Sequence, residues 1–562
     1  MIYWVLGLIH QKMNSLEIGQ SKKNIKSPKI IRCQFKFLLM NTLQKALFSS
    51  ISRNKNKNAL WINNKYYTYK KLNDLSEKYR KVYSKSNSNL ICILLEKNIY
   101  CYACILAIVK DGRTYVPLNP KFPVEKNRKI FSTSGAQILL VESQFIDQVK
   151  HIVGSKNKKK ILIVVPDKDI SSTDKSLKDY NLCTKKDFNS KVPRLPVFKK
   201  TTPKSDCYIL FTSGSTGVPK GVPISNKNVI SYLKNSYNRY KPNSKDKFSH
   251  NFELTFDLSI HDIFLCWISS SCLYVTPKNQ LLNPGHFIKK HRLTMWFSVP
   301  SLGLHMHKMK ILKKNAFPSL RQTIFCGEAL PYSLVNKWFE AAPNSIIDNL
   351  YGPTETTIAI LAYRLKKNQS EKECVNGIVP IGIPFKGQKA DYKKQNFSES
   401  NQTGELSLSG SQIFRGYLKN KKETNLKFYK TENKIFWYRT GDLVKKNSNG
   451  NYVYLGRIDR QIKVRGFRVE TQEVENLLKK ITRTNYSAVI GWPPVHQSNF
   501  SYENTIAFLL RQLKMKNHII INKLRKKLPY YAIPERIIRL KNFPLNSNGK
   551  IDYNELLSII QK

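Results

Sequence analysis

The sequence predicts an α/β protein: a large amino-terminal part of parallel and mixed α/β layers, a β-rich part from about residue 400, and a small α+β part after Asp459. Three observations carry this. Between Leu90 and Val165, apolar β-prone runs alternate with helical stretches, the pattern of stacked parallel layers. Further on, Glu405-Leu-Ser-Leu-Ser409 and Gly450-Asn-Tyr-Val-Tyr-Leu455 alternate apolar and polar residues, as half-exposed antiparallel strands do. After Asp459 a shorter stretch carries its own strand and helix signals. At 562 residues the chain is also too long for one core.

The elements follow in order. Leu90-Ile-Cys-Ile-Leu-Leu95 reads as a buried strand, and Ala103-Cys-Ile-Leu-Ala-Ile-Val109 as the helix after it. Gln137-Ile-Leu-Leu-Val141 and Lys160-Ile-Leu-Ile-Val-Val165 are further strands, and the polar stretch 166–205, with Pro193 and Pro196, reads as a connector. Cys207-Tyr-Ile-Leu-Phe211 is another apolar β-prone run. Residues 1–40, rich in Lys and Asn and without clear periodicity, are read either as a poorly ordered extension or as lying upstream of the working start at Met40. Their opening apolar run is too short to span a bilayer, and no basic region precedes it, so neither a membrane span nor a signal peptide is expected.

The balance of 95 Lys+Arg against 38 Asp+Glu gives a net charge of +57. Such an excess raises nucleic acid or anionic membrane as partners. Here the lysines spread along the whole chain and no nucleic-acid signature appears, so a compositional bias is expected, with incidental polyanion binding at low salt and no specific nucleic acid. The ten cysteines are scattered. Cys101 and Cys104 form a CxxC within an apolar run, with no second Cys or His pair to complete a zinc site. Buried free thiols in a reducing cytoplasm are the expectation.

The richest chemistry lies in Phe211-Thr-Ser-Gly-Ser-Thr-Gly-Val-Pro-Lys-Gly-Val-Pro223, which holds three glycines, four hydroxyl side chains and one lysine. A strand running into such a loop suits phosphate oxygens: glycines let backbone N–H groups approach, Ser and Thr donate, and lysine supplies charge. The spacing excludes a Walker P-loop, because Lys220 follows Pro219 and precedes Gly221. Asn349-Leu-Tyr-Gly-Pro-Thr-Glu-Thr-Thr357 joins a ring, a tight turn, hydroxyls and one carboxylate; Tyr438-Arg-Thr-Gly-Asp442 sets an acid after a glycine turn, a way to hold vicinal sugar hydroxyls. Gly456-Arg-Ile-Asp-Arg460 adds guanidinium groups, and Lys550 sits on a glycine turn near the end.

In this order, the segments resemble the adenylate-forming (AMP-binding) enzyme superfamily, which includes acyl-CoA synthetases, luciferases, amino-acid adenylation domains and D-alanine:carrier-protein ligases. The resemblance runs over roughly residues 45 to 560 and extends to Tyr67-Thr-Tyr-Lys-Lys-Leu-Asn73, Tyr115-Val-Pro-Leu-Asn-Pro120 and Leu528-Pro-Tyr-Tyr-Ala-Ile-Pro534. Lys110-Asp-Gly-Arg-Thr114 departs from the Gly-Gly-Ala common before Tyr115. The resemblance implies an AMP-binding domain over 41–458 and a mobile carboxy-terminal domain over 459–562 that turns about Asp459. It implies ATP and Mg²⁺. Thr212, Ser213, Gly214, Ser215, Thr216, Gly217 and Lys220 would close on the phosphates, with Thr212 and Lys220 catalytic. Gly327, Glu328, Ala329, Asn349, Tyr351 and Gly352 would border the adenine, Thr354 would touch the α-phosphate and Glu355 would hold Mg²⁺. Asp442 and Arg457 would hold the ribose, and Lys550 would bridge the acyl carboxylate and the α-phosphate, lowering the repulsion between two anions.

Thr255-Phe-Asp-Leu-Ser-Ile-His-Asp-Ile-Phe264 resembles the segment in amino-acid-activating members whose acid pairs with the α-ammonium, a role that would fall to Asp257. A buried Asp needs a partner; a helix N-cap is the other reading. Leu258, His261, Cys326, Leu350, Ile358 and Ala359 would line the side-chain pocket. Phe325-Cys-Gly-Glu-Ala-Leu-Pro331 looks most like D-alanine ligases, while His261 departs from that likeness and leaves room for a polar or larger substrate. The chain ends twelve residues after Lys550 with no carrier segment, so a free-standing cytoplasmic monomer is expected, loading the phosphopantetheine thiol of a separate carrier protein. For that second step Lys550 would swing out and Lys463-Val-Arg-Gly-Phe-Arg468 in, with Gly466 letting the pantetheine arm pass. An acyl-CoA synthetase is the alternative.

Overall fold

A computed structural model describes residues 37, 40–154, 160–170, 177, 180–190, 198–214, 218–367, 369–394, 403–484, 486–495, 501–546 and 550–561. Apart from Phe37 and Met40, the amino-terminal stretch 1–40 lies outside these residues, as do Ser215, Thr216 and Gly217 of the glycine-rich loop. Contacts separate Met1–Met40 from Asn41–Lys562. The second unit holds all four sheets.

Its seven-stranded sheet collects the apolar runs. Leu90–Leu94 lies between Thr114–Pro117 and Ile138–Val141, all parallel, and Leu162–Val164 continues the row. Every residue of Ile138–Val141 and Leu162–Val164 is buried, as strands covered on both faces require. Helix Ile99–Lys110 covers this sheet and buries Cys101 and Cys104, both free; burial pushes their thiols far up. Within the stretch read as a connector, Asn181–Cys183 adds a strand to the sheet edge and Lys185–Asn189 forms a helix closed by a Thr184/Asp187 capping box.

At the other edge, Asp206–Thr212 runs into Lys220–Ser225, which returns antiparallel with Thr212 opposite Lys220. The glycine-rich run is therefore a hairpin whose second arm is an edge strand, a position that tolerates Pro223.

The nine-stranded sheet has a parallel centre in which Lys247–His250, Met295–Ser298, Gln322–Cys326 and Ile346–Tyr351 follow one another, with antiparallel strands at both margins. Its core gathers Trp296, Phe325, Trp338 and Ile347. Thr403–Gly410, Phe436–Lys446 and Tyr452–Arg457 form the antiparallel β-rich layer. The carboxy-terminal part builds its own five-stranded sheet around Tyr502–Leu510, with a core of Val464, Leu478, Ala507 and Leu524. Among the described residues no helix is long and apolar enough to cross a membrane.

Candidate active site

Open α/β sheets place ligands at the carboxyl ends of their parallel strands. Strand Ile346–Tyr351 delivers Asn349, Leu350 and Tyr351, and the tight turn after it delivers Thr354 and Glu355. Gly352 has no room for a side chain, because a Cβ would lie 2.6 Å from the Ala359 Cα. Thr357 and Ile358 follow at φ of 62° and 72°. Two consecutive β-branched residues in the left-handed region are strained, and such strain persists only where neighbours over-determine it. Gln412, fully buried, does so: its Nε2 donates to the Ala359 carbonyl at 2.6 Å, and the Thr357 hydroxyl donates to the Gln412 carbonyl at 2.5 Å. Gln412→Ala keeps the main-chain carbonyl that Thr357 donates to but takes the side-chain donor from the Ala359 carbonyl, and is expected to cost about 1–3 kcal/mol. A thermal melt should show it; an unchanged melt would remove Gln412 from this role.

The ring of Tyr351 donates its OH to Asp442, whose other oxygen takes Arg457 Nη1 at 2.7 Å. Arg457 in turn grips Asp459 with both Nε and Nη2 at 2.6 Å. Burial and Arg457 act oppositely on the Asp459 carboxyl, and the guanidinium prevails, holding it below its usual value. Gly441 turns beside this chain at φ 77°, a conformation that favours glycine, and a Cβ there would crowd Arg457 Nη2 at 2.6 Å. Asp442, Arg457 and Asp459 therefore form one linked group joining the acid read as ribose-binding to the residue read as hinge.

Glu355 is fully buried. Burial pushes its carboxyl up, but the Arg468 guanidinium at 3.2 Å more than offsets this, and the Tyr417 hydroxyl donates to it at 2.8 Å. Among the described residues no cluster of three or more His, Cys, Asp and Glu side chains could hold a metal. A lone buried carboxylate facing a cation still fits Mg²⁺, which is commonly held by one or two carboxylates together with substrate phosphates.

On the glycine-rich hairpin, Gly214 is obligatory, as a Cβ would lie 2.3 Å from the Val218 carbonyl. Lys220 Nζ lies 2.5 Å from Glu423, and the Ser213 hydroxyl donates to the Arg468 carbonyl at 3.2 Å.

Asp257 stands at the start of a turn of helix, where the Leu258 N–H faces its carboxyl. Burial pushes its carboxyl up to about 7, with the Thr354 hydroxyl partly opposing this. Leu258, His261, Cys326, Leu350, Ile358 and Ala359 are all at most 2% exposed. Cys326 sits opposite Leu350 in register, and burial, then the Asp257 charge, pushes its thiol up to about 12. Gly327 brings Phe256, Leu258 and Val299 together around its α-carbon. His261 begins a π-helical turn, His261–Leu265, a feature frequent at functional sites. Its Nδ1 is 2.7 Å from the Tyr232 hydroxyl, its ring lies edge-on to Phe297 at 4.7 Å, and burial holds it neutral, pushing its pKa down to about 3. Glu328 accepts from the Ser301 N–H at 2.7 Å, and burial raises its carboxyl. Ala329 packs against the cluster that contains Tyr351.

One predicted residue stands apart. Lys550 is exposed, and its described backbone bonds are to Asn546 within its own turn. The cleft instead receives the hairpin of Gln461–Val464 and Phe467–Glu470. Gly466, at φ 84°, touches Val299, where a Cβ would stand 2.8 Å from Cγ1. Phe467 meets Phe256, and Lys463 lies close enough to Asp442, Cys326 and Glu328 for their charges to raise its pKa against burial, which lowers it. Tyr417, Glu423 and Gln412 belong to the site although no sequence motif singled them out.

Residues 47–418 match the AMP-binding enzyme family, and the chain belongs to that family. It is an adenylate-forming ligase. Zwittermicin A synthase ZmaJ of Bacillus cereus is 29% identical over 525 residues, spanning 91% of this chain and 93% of that protein. Gramicidin S synthase 1 of Brevibacillus brevis is 28% identical over 531 residues, 92% of this chain, but this chain spans only 44% of it. The crystal structure of the Vibrio cholerae adenylation domain AlmE in complex with glycyl-adenosine-5'-phosphate superposes with a TM-score of 0.83 at 28% identity, covering 97% of this chain and 100% of AlmE.

Proposed function

We propose that the chain activates a small α-amino acid and passes it to the phosphopantetheine thiol of a separate carrier protein. In the first step a carboxylate oxygen attacks the α-phosphorus of ATP. The α–β phosphoanhydride bond breaks, pyrophosphate leaves and aminoacyl-AMP remains. In the second, the carrier thiolate attacks the acyl carbonyl, AMP leaves and a thioester forms.

The observation that carries this reading is Asp257, a buried carboxyl that faces hydrogen-bond donors such as Thr354 but forms no ion pair among the described residues. An α-ammonium is the partner such an acid lacks. A fatty acid, the substrate class of the alternative acyl-CoA synthetase, brings none. The pocket walls favour a short side chain: Leu258, Cys326, Leu350, Ile358 and Ala359 are buried, and His261 is a neutral wall tied to Tyr232 rather than an open polar contact. D-alanine suits this space, and glycine, present as its adenylate in AlmE, suits it equally.

Around this acid the other residues take consistent roles. Thr212, Ser213 and Lys220 hold the phosphates, Tyr351 and Gly327 border the adenine, and Asp442 with Arg457 holds the ribose. Glu355 would hold Mg²⁺, which when bound neutralises phosphate charge. Lys550 acts in the first step; the arrangement in hand, with Lys463–Arg468 in the cleft, suits the second.

An ATP–pyrophosphate exchange panel over glycine and all L- and D-amino acids tests the reading. Exchange is expected with glycine or D-alanine well above leucine or phenylalanine. Exchange supported by a fatty acid and by no amino acid would overturn it.

A further inference from the structure

Lys220 is a cation proposed for the phosphates, yet it already has an anion. Its Nζ is 2.5 Å from Glu423 Oε1, with 13% of the lysine and 20% of the glutamate side chain exposed. The same ammonium lies 5.7 Å from the centre of the Tyr417 ring, Tyr417 donates to Glu355, and Glu355 faces Arg468. The two groups that would receive magnesium pyrophosphate, one cationic and one anionic, thus each hold a protein side chain of opposite sign. Glu423 comes from helix Lys421–Lys427 and Arg468 from the carboxy-terminal hairpin. Both line one cleft of about 210 Å³, together with Lys220, Lys427, Asp459 and Arg460.

An acid in the first turn of a helix is ordinary, because the helix dipole favours it there. The dipole does not account for Glu423 reaching Lys220 at hydrogen-bond distance. Nor does stability, since a partly exposed ion pair contributes little. The pair matters more for what it competes with. One ammonium cannot serve a carboxylate and a pyrophosphate without setting two anions side by side.

We propose that Glu423 is a positioning residue for Lys220: it takes the place of pyrophosphate on the lysine once the product has left, and so disfavours its rebinding. The inference rests on the adenylation reading above. It fixes a sign: removing the Glu423 charge strengthens pyrophosphate binding, and it does so only through Lys220.

Calorimetric titration of inorganic pyrophosphate with Mg²⁺ into the full chain tests this. Glu423→Gln should bind about three- to tenfold tighter than wild type, the range open to a partly exposed charge pair, and pyrophosphate should inhibit its overall thioester synthesis at correspondingly lower concentration. Glu423→Ala, a second charge-removing variant, should shift the same way, and Glu423→Asp should stay near wild type. In a Lys220→Ala background, Glu423→Gln should change affinity by less than about twofold, because the coupling partner is gone. Unchanged or weaker binding by both charge-removing variants would overturn the proposal, as would tightening of equal size without Lys220. A wild-type chain that neither binds pyrophosphate nor exchanges it with any amino acid would instead overturn the adenylation reading itself.

Discussion

Asp257→Ala is expected to cripple amino-acid-dependent pyrophosphate exchange, with kcat/KM for the amino acid falling about 10²–10⁴-fold, since removing one partner of a buried charge pair costs about 3–5 kcal/mol. The loss should appear against the amino acid while the KM for ATP stays close to wild type, because Asp442, Arg457 and Tyr351 form a separate group. Equal loss against both substrates would mean that Asp257 shapes the whole cleft rather than pairing with an ammonium.

The same carboxyl predicts a pH dependence. Burial raises it to about 7 in the free protein, so below that pH it is mostly protonated and cannot pair with an ammonium. kcat/KM for the amino acid should rise with pH through about 7 and then level, since it reports the free enzyme. Bound ammonium lowers the carboxyl, so the inflection in kcat should lie at lower pH. Stability runs the other way. With the folded value raised above the unfolded one, the contribution of Asp257 is fully present below the unfolded pKa and is lost as pH rises through about 7. Asp257→Asn should flatten both profiles.

The parts of this site that the sequence reveals are those built from neighbours in the chain. Buried parallel strands announce themselves as apolar runs, so Leu90–Leu94 and Ile138–Val141 fall where their residues predict. Asn181–Cys183 and the helix after it do not, because they are short, polar and at an edge, with little apolar periodicity to read. The glycine-rich loop reads as loop throughout because glycine, proline and hydroxyls dominate it, yet pairing to Asp206–Thr212 draws Lys220–Ser225 into a strand. Lys220 and Glu423 are 203 residues apart, Tyr417 and Glu355 62, and Gln412 and Ala359 53. Each of these pairs is a product of tertiary packing, and nothing in the local composition of 411–423 marks it. Lys550 shows the converse: a motif read from sequence names a residue but not the arrangement in which it acts.

That arrangement yields the second large effect. With Lys550 exposed on its own turn and Gly466 against Val299, the protein stands in the form proposed for thioester synthesis. Two substitutions should therefore fail in opposite steps. Lys550→Ala removes the cation proposed to bridge the attacking carboxylate and the α-phosphate, and adenylate formation should fall about 10²–10³-fold, as when one preorganised charge-stabilising group is lost. Thioester formation from preformed aminoacyl-adenylate should stay within about threefold, because that step does not call on the lysine. Gly466→Leu should reverse the pattern. At φ 84° a leucine is strained, and its Cβ would press to within 2.8 Å of Val299, so the hairpin cannot seat. Thioester formation should fall at least about 10²-fold, as misplacement by an ångström can do, while pyrophosphate exchange persists. Single-turnover measurements of each half-reaction on both variants separate the outcomes. If Gly466→Leu halts exchange as severely as acyl transfer, the two steps share one arrangement and the hairpin belongs to both; if each variant spares the step the other loses, the cleft is used twice, once with Lys550 in it and once with Gly466.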